Sequence, residues 1–457
     1  MLLETRWPAL TVTDYLDCSG GRPSQRAGRS DLVRVLSGSG IARVVFAPRL
    51  DFGRMATVLR IGPGFIEVPD APDPLVLVSP GVEWTIRKEA GHDVAEGVVN
   101  LDRAGGKVVL ELRYGTHNTE ASVIPEPARR KQTESIWTNW AFGLTLPTVY
   151  TEQVQRSALM LKSLTHGPTG ALLAAATTSL PEQAGGSRNW DYRFCWPRDA
   201  AMAACALLKL GSPLEAMRLA EWLVGIIDRL ESPGRLRPLY SVSGDDLPPE
   251  AQINELRGYA DSRPVRVSNA AAHQVQLDVF GPIADLLATM AERGVPISPD
   301  YWRLTKAIVA AVESRWREPD HGIWEVRGPR RHHVHSRLAC WHAVDRSITV
   351  HRAVLGRSNP EWEKLRGLIA DDLLSNGFHE RAGAFTAAYG VEDLDASALL
   401  VGLWGLLPAN DPRWVKTVEA VERDLRRGAT LLRYRFDDGL PGARAGLSSA
   451  RSGWWKR

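Results

Sequence analysis

The spacing of apolar residues changes once along this 457-residue chain, between positions 120 and 150, and that change restricts the possible folds more than any other feature. Before it, short runs rich in Val and Leu are separated by clusters of Gly, Pro and Asp, as is typical of β-strands. After it, apolar residues recur at helical spacing. Two different periods in two parts of one chain predict a multidomain α+β protein.

The N-terminal part contains five strand-like runs, which predict a β-sandwich domain over residues 1–119. They are Leu10–Tyr15, Ile41–Ala47, Ala56–Ile61, Leu75–Leu77 and Lys107–Tyr114. Residues 120–150 differ in character, with a charged stretch at Glu126–Lys131 followed by aromatic residues. We interpret 120–150 as a linker between domains.

The remainder contains nine candidate helices, several of them bounded by Gly, Ser-Pro or Asn-Pro. They cover about 152–165, 198–210, 213–230, 268–293, 299–317, 335–353, 360–376, 395–406 and 411–427. Long loops between them contain Trp, Tyr, Arg and Asp, a composition that argues against disorder. An array of helices with long loops predicts an α/α toroid over 151–442, whereas 443–457 shows no periodicity.

Composition excludes several classes of function. Basic residues number 56 and acidic residues 53, so there is no electrostatic case for nucleic acid as a partner. The longest nearly uncharged apolar stretch, 396–409, is too short to span a membrane. The N-terminus has no secretory signal, and the four scattered cysteines predict free thiols in a reducing, cytoplasmic setting. Neither a P-loop nor a nucleophile-elbow motif is present.

The densest group of chemically capable side chains is the stretch 185–199, G-G-S-R-N-W-D-Y-R-F-C-W-P-R-D. At its end, Arg198 and Asp199 enter a predicted helix beside Trp196. Such a pair can bind a polyhydroxylated ligand, because Asp accepts hydrogen bonds, Arg donates them, and Trp supplies a flat apolar wall. An aromatic cluster with an internal ion pair at a helix start explains the same residues equally well.

A second group, D-H-G-I-W-E-V-R-G at 320–328, places Glu325 beside Trp324. A carboxyl group packed against an indole is partly desolvated, and desolvation raises the pKa of a carboxyl group, as suits a general acid. On spacing alone, a surface salt bridge between Glu325 and Arg327 is the favoured interpretation.

A third group lies in the stretch 263–278, where a helix over 268–280 would place Asn269, His273 and Gln276 near one face. These residues could bind sugar hydroxyls or could equally be buried polar residues of the core.

The three histidines between 330 and 335 have no carboxylate or cysteine at ligand spacing, so we predict a basic loop and no metal site. No cofactor is expected.

Taken together, these stretches resemble the glucoamylase and trehalase family of bacterial glycoside hydrolases, family 15. The matching motifs are T-T-S-L-P-E (177–182), the stretches 185–199 and 263–278, G-I-W-E-V-R-G (322–328), W-H-A-V-D-R (341–346) and L-D-A-S (394–397), with L-L-E-T-R-W (2–7), T-D-Y (13–15) and A-P-R-L-D-F-G (47–53) nearer the start. The resemblance implies a β-sandwich followed by an (α/α)6 barrel. It also implies exo-acting, inverting release of glucose from trehalose or another α-glucoside.

Carried over to this sequence, the resemblance implies that Glu325 is the general acid. Arg198 and Asp199 would bind the terminal glucose, and Trp196 and Trp324 would line its pocket, with Asn269 and Gln276 as further sugar contacts. The match begins well inside the family's sandwich and leaves about three of twelve helices, and the general base, unaccounted for. We therefore expect an incomplete barrel with little or no activity. The alternatives are a non-catalytic sugar-binding relic and a product whose tail, 443–457, is read out of frame.

Overall fold

A computed structural model of the chain describes residues 1–20 and 29–440. The chain divides into two compact units, one spanning Met1–Leu144 and the other beginning at Thr145. The aperiodic tail, 443–457, lies outside the described residues.

Ten strands form two antiparallel sheets in the first unit. The strands are β1 (Leu3–Arg6), β2 (Leu10–Leu16), β3 (Ser30–Gly38), β4 (Ile41–Phe46), β5 (Arg60–Gly62), β6 (Phe65–Glu67), β7 (Leu75–Val78), β8 (Glu83–Glu89), β9 (His92–Asn100) and β10 (Lys107–Tyr114). One sheet has seven strands in the order β1-β2-β3-β10-β7-β6-β5, and the other has three in the order β4-β9-β8. All five predicted runs overlap a strand.

One core joins the two sheets. Leu36 and Leu110 from the seven-stranded sheet and Ala95 and Val99 from the three-stranded sheet belong to a single buried apolar cluster. Two sheets that share a core between their inner faces form a sandwich. The prediction of an N-terminal β-sandwich is therefore confirmed.

The segment interpreted as a linker contains a helix. Helix α1, Glu126–Phe142, belongs to the first unit, and the division between units falls after Leu144. Its buried residues are polar: Arg129 pairs with Asp17 and Glu111 of the sandwich. A helix attached by ion pairs has no apolar stripe, so hydrophobic spacing did not predict it.

The second unit is helical, as predicted, and nine helices are described in it. They are α2 (Thr151–Leu164), α3 (Pro197–Lys209), α4 (Pro213–Ile227), α5 (Phe280–Glu292), α6 (Pro299–Arg315), α7 (Val334–Leu355), α8 (Pro360–Asn376), α9 (Leu400–Leu403) and α10 (Pro412–Leu425). Eight predicted helices agree closely or overlap, but the one predicted over 268–293 begins only at Phe280. Among the described residues, no helix is both long and apolar enough to cross a membrane.

Helix packing brings several polar loops of this unit into contact. Helix α5 packs against both α3 and α7, and the three share one apolar core. The loops that precede these helices contain Trp196, Gln276 and Glu325, and a further loop with Asp395 precedes α9. These loops form the candidate site.

Candidate active site

The first part of the site is the start of helix α3. Pro197 occupies the first helical turn, where its missing N–H costs little. The Arg198 side chain is buried, and its Nη2 lies 3.0 Å from Oδ2 of Asp199. The Asp199 side chain is 56% exposed. The pair therefore presents an anchored carboxylate to solvent, as binding of a polyol requires.

Arg198 is also anchored from the side facing helix α5. Its Nη1 donates to Oε1 of Gln276 at 3.1 Å and to Oδ2 of Asp278 at 2.9 Å. Burial opposes the charge on Arg198, but the carboxylates of Asp199, Asp278 and Glu325 outweigh burial and raise the pKa of Arg198 above its usual range. The guanidinium is a permanently charged, fixed donor.

The expectation of a helix over 268–280 is wrong, and Asn269, His273 and Gln276 do not share a helical face. The segment contains two short 3₁₀ turns, Ala270–His273 and Leu277–Val279, on either side of extended residues. Asn269 is buried and accepts a hydrogen bond from the N–H of Ala271, so it caps the first turn. His273 is exposed beside Arg237, whereas Gln276 is buried against Arg198.

Glu325 meets Trp196 across this cluster. Nε1 of Trp196 donates to Oε1 of Glu325 at 2.7 Å, while the Trp196 ring packs among Leu239, Ala271 and other apolar residues. Glu325 itself is half-buried, with φ of 59° in the left-handed region. That conformation costs a non-glycine residue on the order of 1 kcal/mol or more, so the surrounding structure must hold it. Arg327, the alternative partner considered for Glu325, pairs with Glu250 at 3.2 Å.

Trp324 is held by a separate set of partners. Its Nε1 donates to Oδ2 of Asp395 at 2.8 Å, and its ring lies 6.1 Å from that of Tyr434. Asp395 is buried and also caps the turn that precedes α9 through the N–H of Ser397. These contacts fix the indole of Trp324, the residue that precedes Glu325 in the sequence.

Three polar residues of this network were not assigned roles in the sequence. Asp278 and Asp395 lie within the stretches 263–278 and 394–397, so the motifs located them without indicating their partners. Gln274, whose amide contacts the backbone of Glu325, lies in the same stretch 263–278 and was likewise located without its partner. Predicting its contact requires knowing that the segment 274–276 is extended.

Buried ionisable groups surround the network. Burial, with the nearby charge of Asp278, raises the pKa of Asp320 to about 7. Burial also lowers the pKa of His333 and of His335 to about 4, so both are neutral at physiological pH. Among the described residues, no three His, Cys, Asp or Glu side chains are grouped as metal ligands. The side chains of this network can supply hydrogen bonds and proton transfer by carboxyl groups.

Comparison with known proteins identifies the family. The family model for glycosyl hydrolases family 15 matches residues 148–440, and the model for a trehalase-like N-terminal domain matches residues 1–137. The chain is 35% identical to the trehalase of Thermoplasma acidophilum over 364 residues, which cover 79% of this chain and 61% of that protein. It is 38% identical to the trehalase of Mycobacterium tuberculosis over 346 residues, which cover 74% and 51%.

The fold has a counterpart of known structure. A bacterial glucoamylase complexed with acarbose matches with a TM-score of 0.64 and 12% identity, over 93% of this chain and 68% of that one. The chain spans between about half and three-fifths of the length of the two trehalases. Because a family model covers more than half of its residues, the chain belongs to glycosyl hydrolases family 15.

Proposed function

We propose that this chain acts on α-glucosides, with Glu325 as the proton donor of an inverting hydrolysis and Arg198 with Asp199 as the clamp for the terminal glucose. The observation that supports this most strongly is the 2.7 Å hydrogen bond from Trp196 to the Glu325 carboxyl group, beside the buried Arg198. A general acid needs a carboxyl group held in one orientation next to the bound substrate.

Each proposed role follows from the chemistry of the group. The exposed carboxylate of Asp199 accepts hydrogen bonds from adjacent sugar hydroxyls, and Arg198 fixes its orientation. One oxygen of Glu325 is occupied by the Trp196 indole. The proton passes from the Glu325 carboxyl group to the glycosidic oxygen as the bond between that oxygen and the glucose carbon breaks.

Inversion also requires a second carboxylate, which activates water from the opposite face of the sugar at roughly 6.5–9.5 Å from the acid. Among the described residues, the carboxylates of Asp199, Asp278 and Asp395 contact the site network directly, and each is committed to another contact. Asp199 and Asp278 bind Arg198, and Asp395 accepts from Trp324 and Ser397. We assign none of these three as the base.

Trehalose is the first substrate to test, since the curated relatives described above are named trehalases. Maltose and maltodextrins are the alternatives, in keeping with the glucoamylase fold match. All share a terminal α-linked glucose, which is the part of the substrate that Arg198 and Asp199 would bind.

Glucose release from trehalose, maltose and maltodextrin by the purified chain tests the proposal. Glu325→Gln keeps the shape of the side chain and removes the proton, so release should fall by roughly 10²–10⁴-fold while substrate still binds. A Glu325→Gln variant that turns over at the parent rate contradicts the assignment. Glu318→Gln, at an exposed glutamate paired with Arg315, is the matched control.

The second candidate function is sugar binding without hydrolysis. It is favoured by the commitment of Asp199, Asp278 and Asp395 to other contacts. Saturable binding of trehalose or glucose without detectable release of glucose would support this candidate over hydrolysis.

A further inference from the structure

We propose that Gln274 is a positioning residue that fixes the backbone turn at Glu325 and so holds the carboxyl group against the Trp196 indole. The inference rests on the proposed role of Glu325 as the proton donor. It concerns a side chain that touches neither the proposed sugar clamp nor the carboxyl group itself.

The side-chain amide of Gln274 makes two hydrogen bonds to the backbone of the turn at Glu325. Its Nε2 donates to the carbonyl oxygen of Glu325 and to that of Val326, each at 3.2 Å. Glu325 has a left-handed φ, and its N–H donates to the oxygen of Gly322 at 3.2 Å. A conformation that is unfavourable for glutamate persists only where its surroundings hold it. Gln274 donates hydrogen bonds to the carbonyl groups of Glu325 and Val326, and so fixes the orientation of the backbone at this turn.

The orientation of the Gln274 amide is itself determined by its neighbours. Nε2 of Gln276 donates to Oε1 of Gln274 at 3.0 Å, and Oε1 of Gln276 accepts from Nη1 of Arg198 at 3.1 Å. A guanidinium can only donate and a backbone carbonyl can only accept. Both ends of this row of hydrogen bonds are therefore fixed, and neither amide can flip without placing like groups together.

Loss of the Gln274 amide therefore has a specific consequence. Two carbonyl groups lose their donor, and the turn at Glu325 is released to relax away from its left-handed conformation. The contact between Glu325 and Trp196 should weaken, while Arg198 and Asp199 stay paired with each other. The effect is displacement of the acid with the sugar clamp left in place.

The indole N–H of Trp196 reports on this contact without any need for catalysis. In spectra of the full chain labelled at tryptophan with ¹⁵N, the Trp196 indole signal is identified by its loss in Trp196→Phe. Its pH-dependent shift is attributed to Glu325 by its loss in Glu325→Gln. Gln274→Met keeps the side-chain volume and removes the amide. Gln274→Glu is a second variant, which turns carboxylate oxygens toward the two carbonyls. Gln252→Ala, at an exposed residue, is the control.

In the parent protein and in Gln252→Ala, we expect a Trp196 signal that titrates with Glu325. In both Gln274 variants, the signal should move toward that of exposed tryptophans and lose most of its pH-dependent shift, with melting temperature showing that the fold is retained. A signal that does not titrate in the parent protein overturns the inference, and so does one that is unchanged in a folded Gln274 variant. Failure of the proposed function would be recognised separately, as absence of glucose release with normal spectra.

Discussion

The carboxyl group of Asp320 lies enclosed next to the loop that contains Gln276 and Asp278. One of its oxygens accepts from the N–H of Leu277 at 2.9 Å and from Oγ of Ser336 at 2.7 Å. These bonds favour the charged form but do not offset burial, which raises the pKa of Asp320 to about 7. The Asp320 side chain therefore links the backbone at Leu277, next to Gln276 and Asp278, to helix α7.

A raised pKa makes Asp320 a source of pH-dependent stability. Between its ordinary pKa and about 7, the folded state holds a proton that the unfolded state has lost, so the free energy of unfolding falls as pH rises through this window. The contribution of Asp320 should fall by roughly 2 kcal/mol between pH 5 and pH 7. Asp320→Asn keeps an acceptor and cannot ionise, so it lacks this loss of stability. The free energy of unfolding of the variant minus that of the parent should therefore increase from pH 5 to pH 7.

Denaturant unfolding of the parent and of Asp320→Asn at pH 5, 6, 7 and 8 measures this difference directly. Asp371→Asn, at an exposed position of helix α8, is the control and should show no such trend. A constant difference between parent and Asp320→Asn at all four pH values would mean that Asp320 ionises normally.

The segment 433–440 is held against the loop that contains Glu325. Arg188 makes two hydrogen bonds to the carboxylate of Asp438, at 2.7 and 2.9 Å, and both side chains are buried. Tyr434 donates to the same carboxylate, and the N–H of Arg327 donates to the backbone oxygen of Asp438. Burial opposes the charge, but Arg188 and Tyr434 outweigh it and hold the pKa of Asp438 well below its usual range.

Breaking this pair should destabilise the helical unit. Removing one partner of a buried, hydrogen-bonded ion pair leaves the other charge uncompensated. This typically lowers the free energy of unfolding by about 3–5 kcal/mol. We expect Asp438→Asn to lower the melting temperature of the helical unit and the neighbouring Asp437→Asn, at an exposed position, to leave it unchanged. Equal melting temperatures for the two variants would show that the pair does not fasten the segment.

Some elements were not predicted because polar residues lie among their buried residues. Strand β3 was missed because Asp31 is buried in it while the adjacent Leu32 is partly exposed, which hides the alternation. Helix α1 was missed because its buried face holds Glu126, Arg129 and Thr133. In helix α1, ion pairs determine which face is buried, whereas Val33 and Val35 of strand β3 still belong to a buried apolar cluster.

The segment before helix α5 shows the opposite error. Its alanines favour a helix, but tertiary hydrogen bonds override this preference. Asn269 caps a short turn. Gln276 and Asp278 both accept hydrogen bonds from Arg198, and the helix begins only after them. The sequence pattern contains no information about these distant partners.

For the whole molecule, the order of a sandwich followed by a helical unit was predictable from two periodicities, and the family from ordered motifs. Five of the seven predicted site residues contact another of the seven, in two groups: Trp196 with Glu325, and Arg198 with both Asp199 and Gln276. Their roles stay predictions. The pairing of Trp196 with Glu325 joins residues 129 positions apart, and only the packing of helices around a common core determines it.

Calorimetric titration of the full chain with trehalose and with glucose tests the proposal that the loops before helices α3, α5 and α7 form a glucose site. The parent should bind saturably. Asp199→Ala should bind roughly tenfold to a hundredfold more weakly, since a charged acceptor for sugar hydroxyls is lost, without a change in melting temperature. Asp300→Ala, at an exposed first-turn aspartate of α6 paired with Arg303, should bind like the parent. Absence of binding in the parent, or equal affinity in Asp199→Ala and the parent, would contradict the claim.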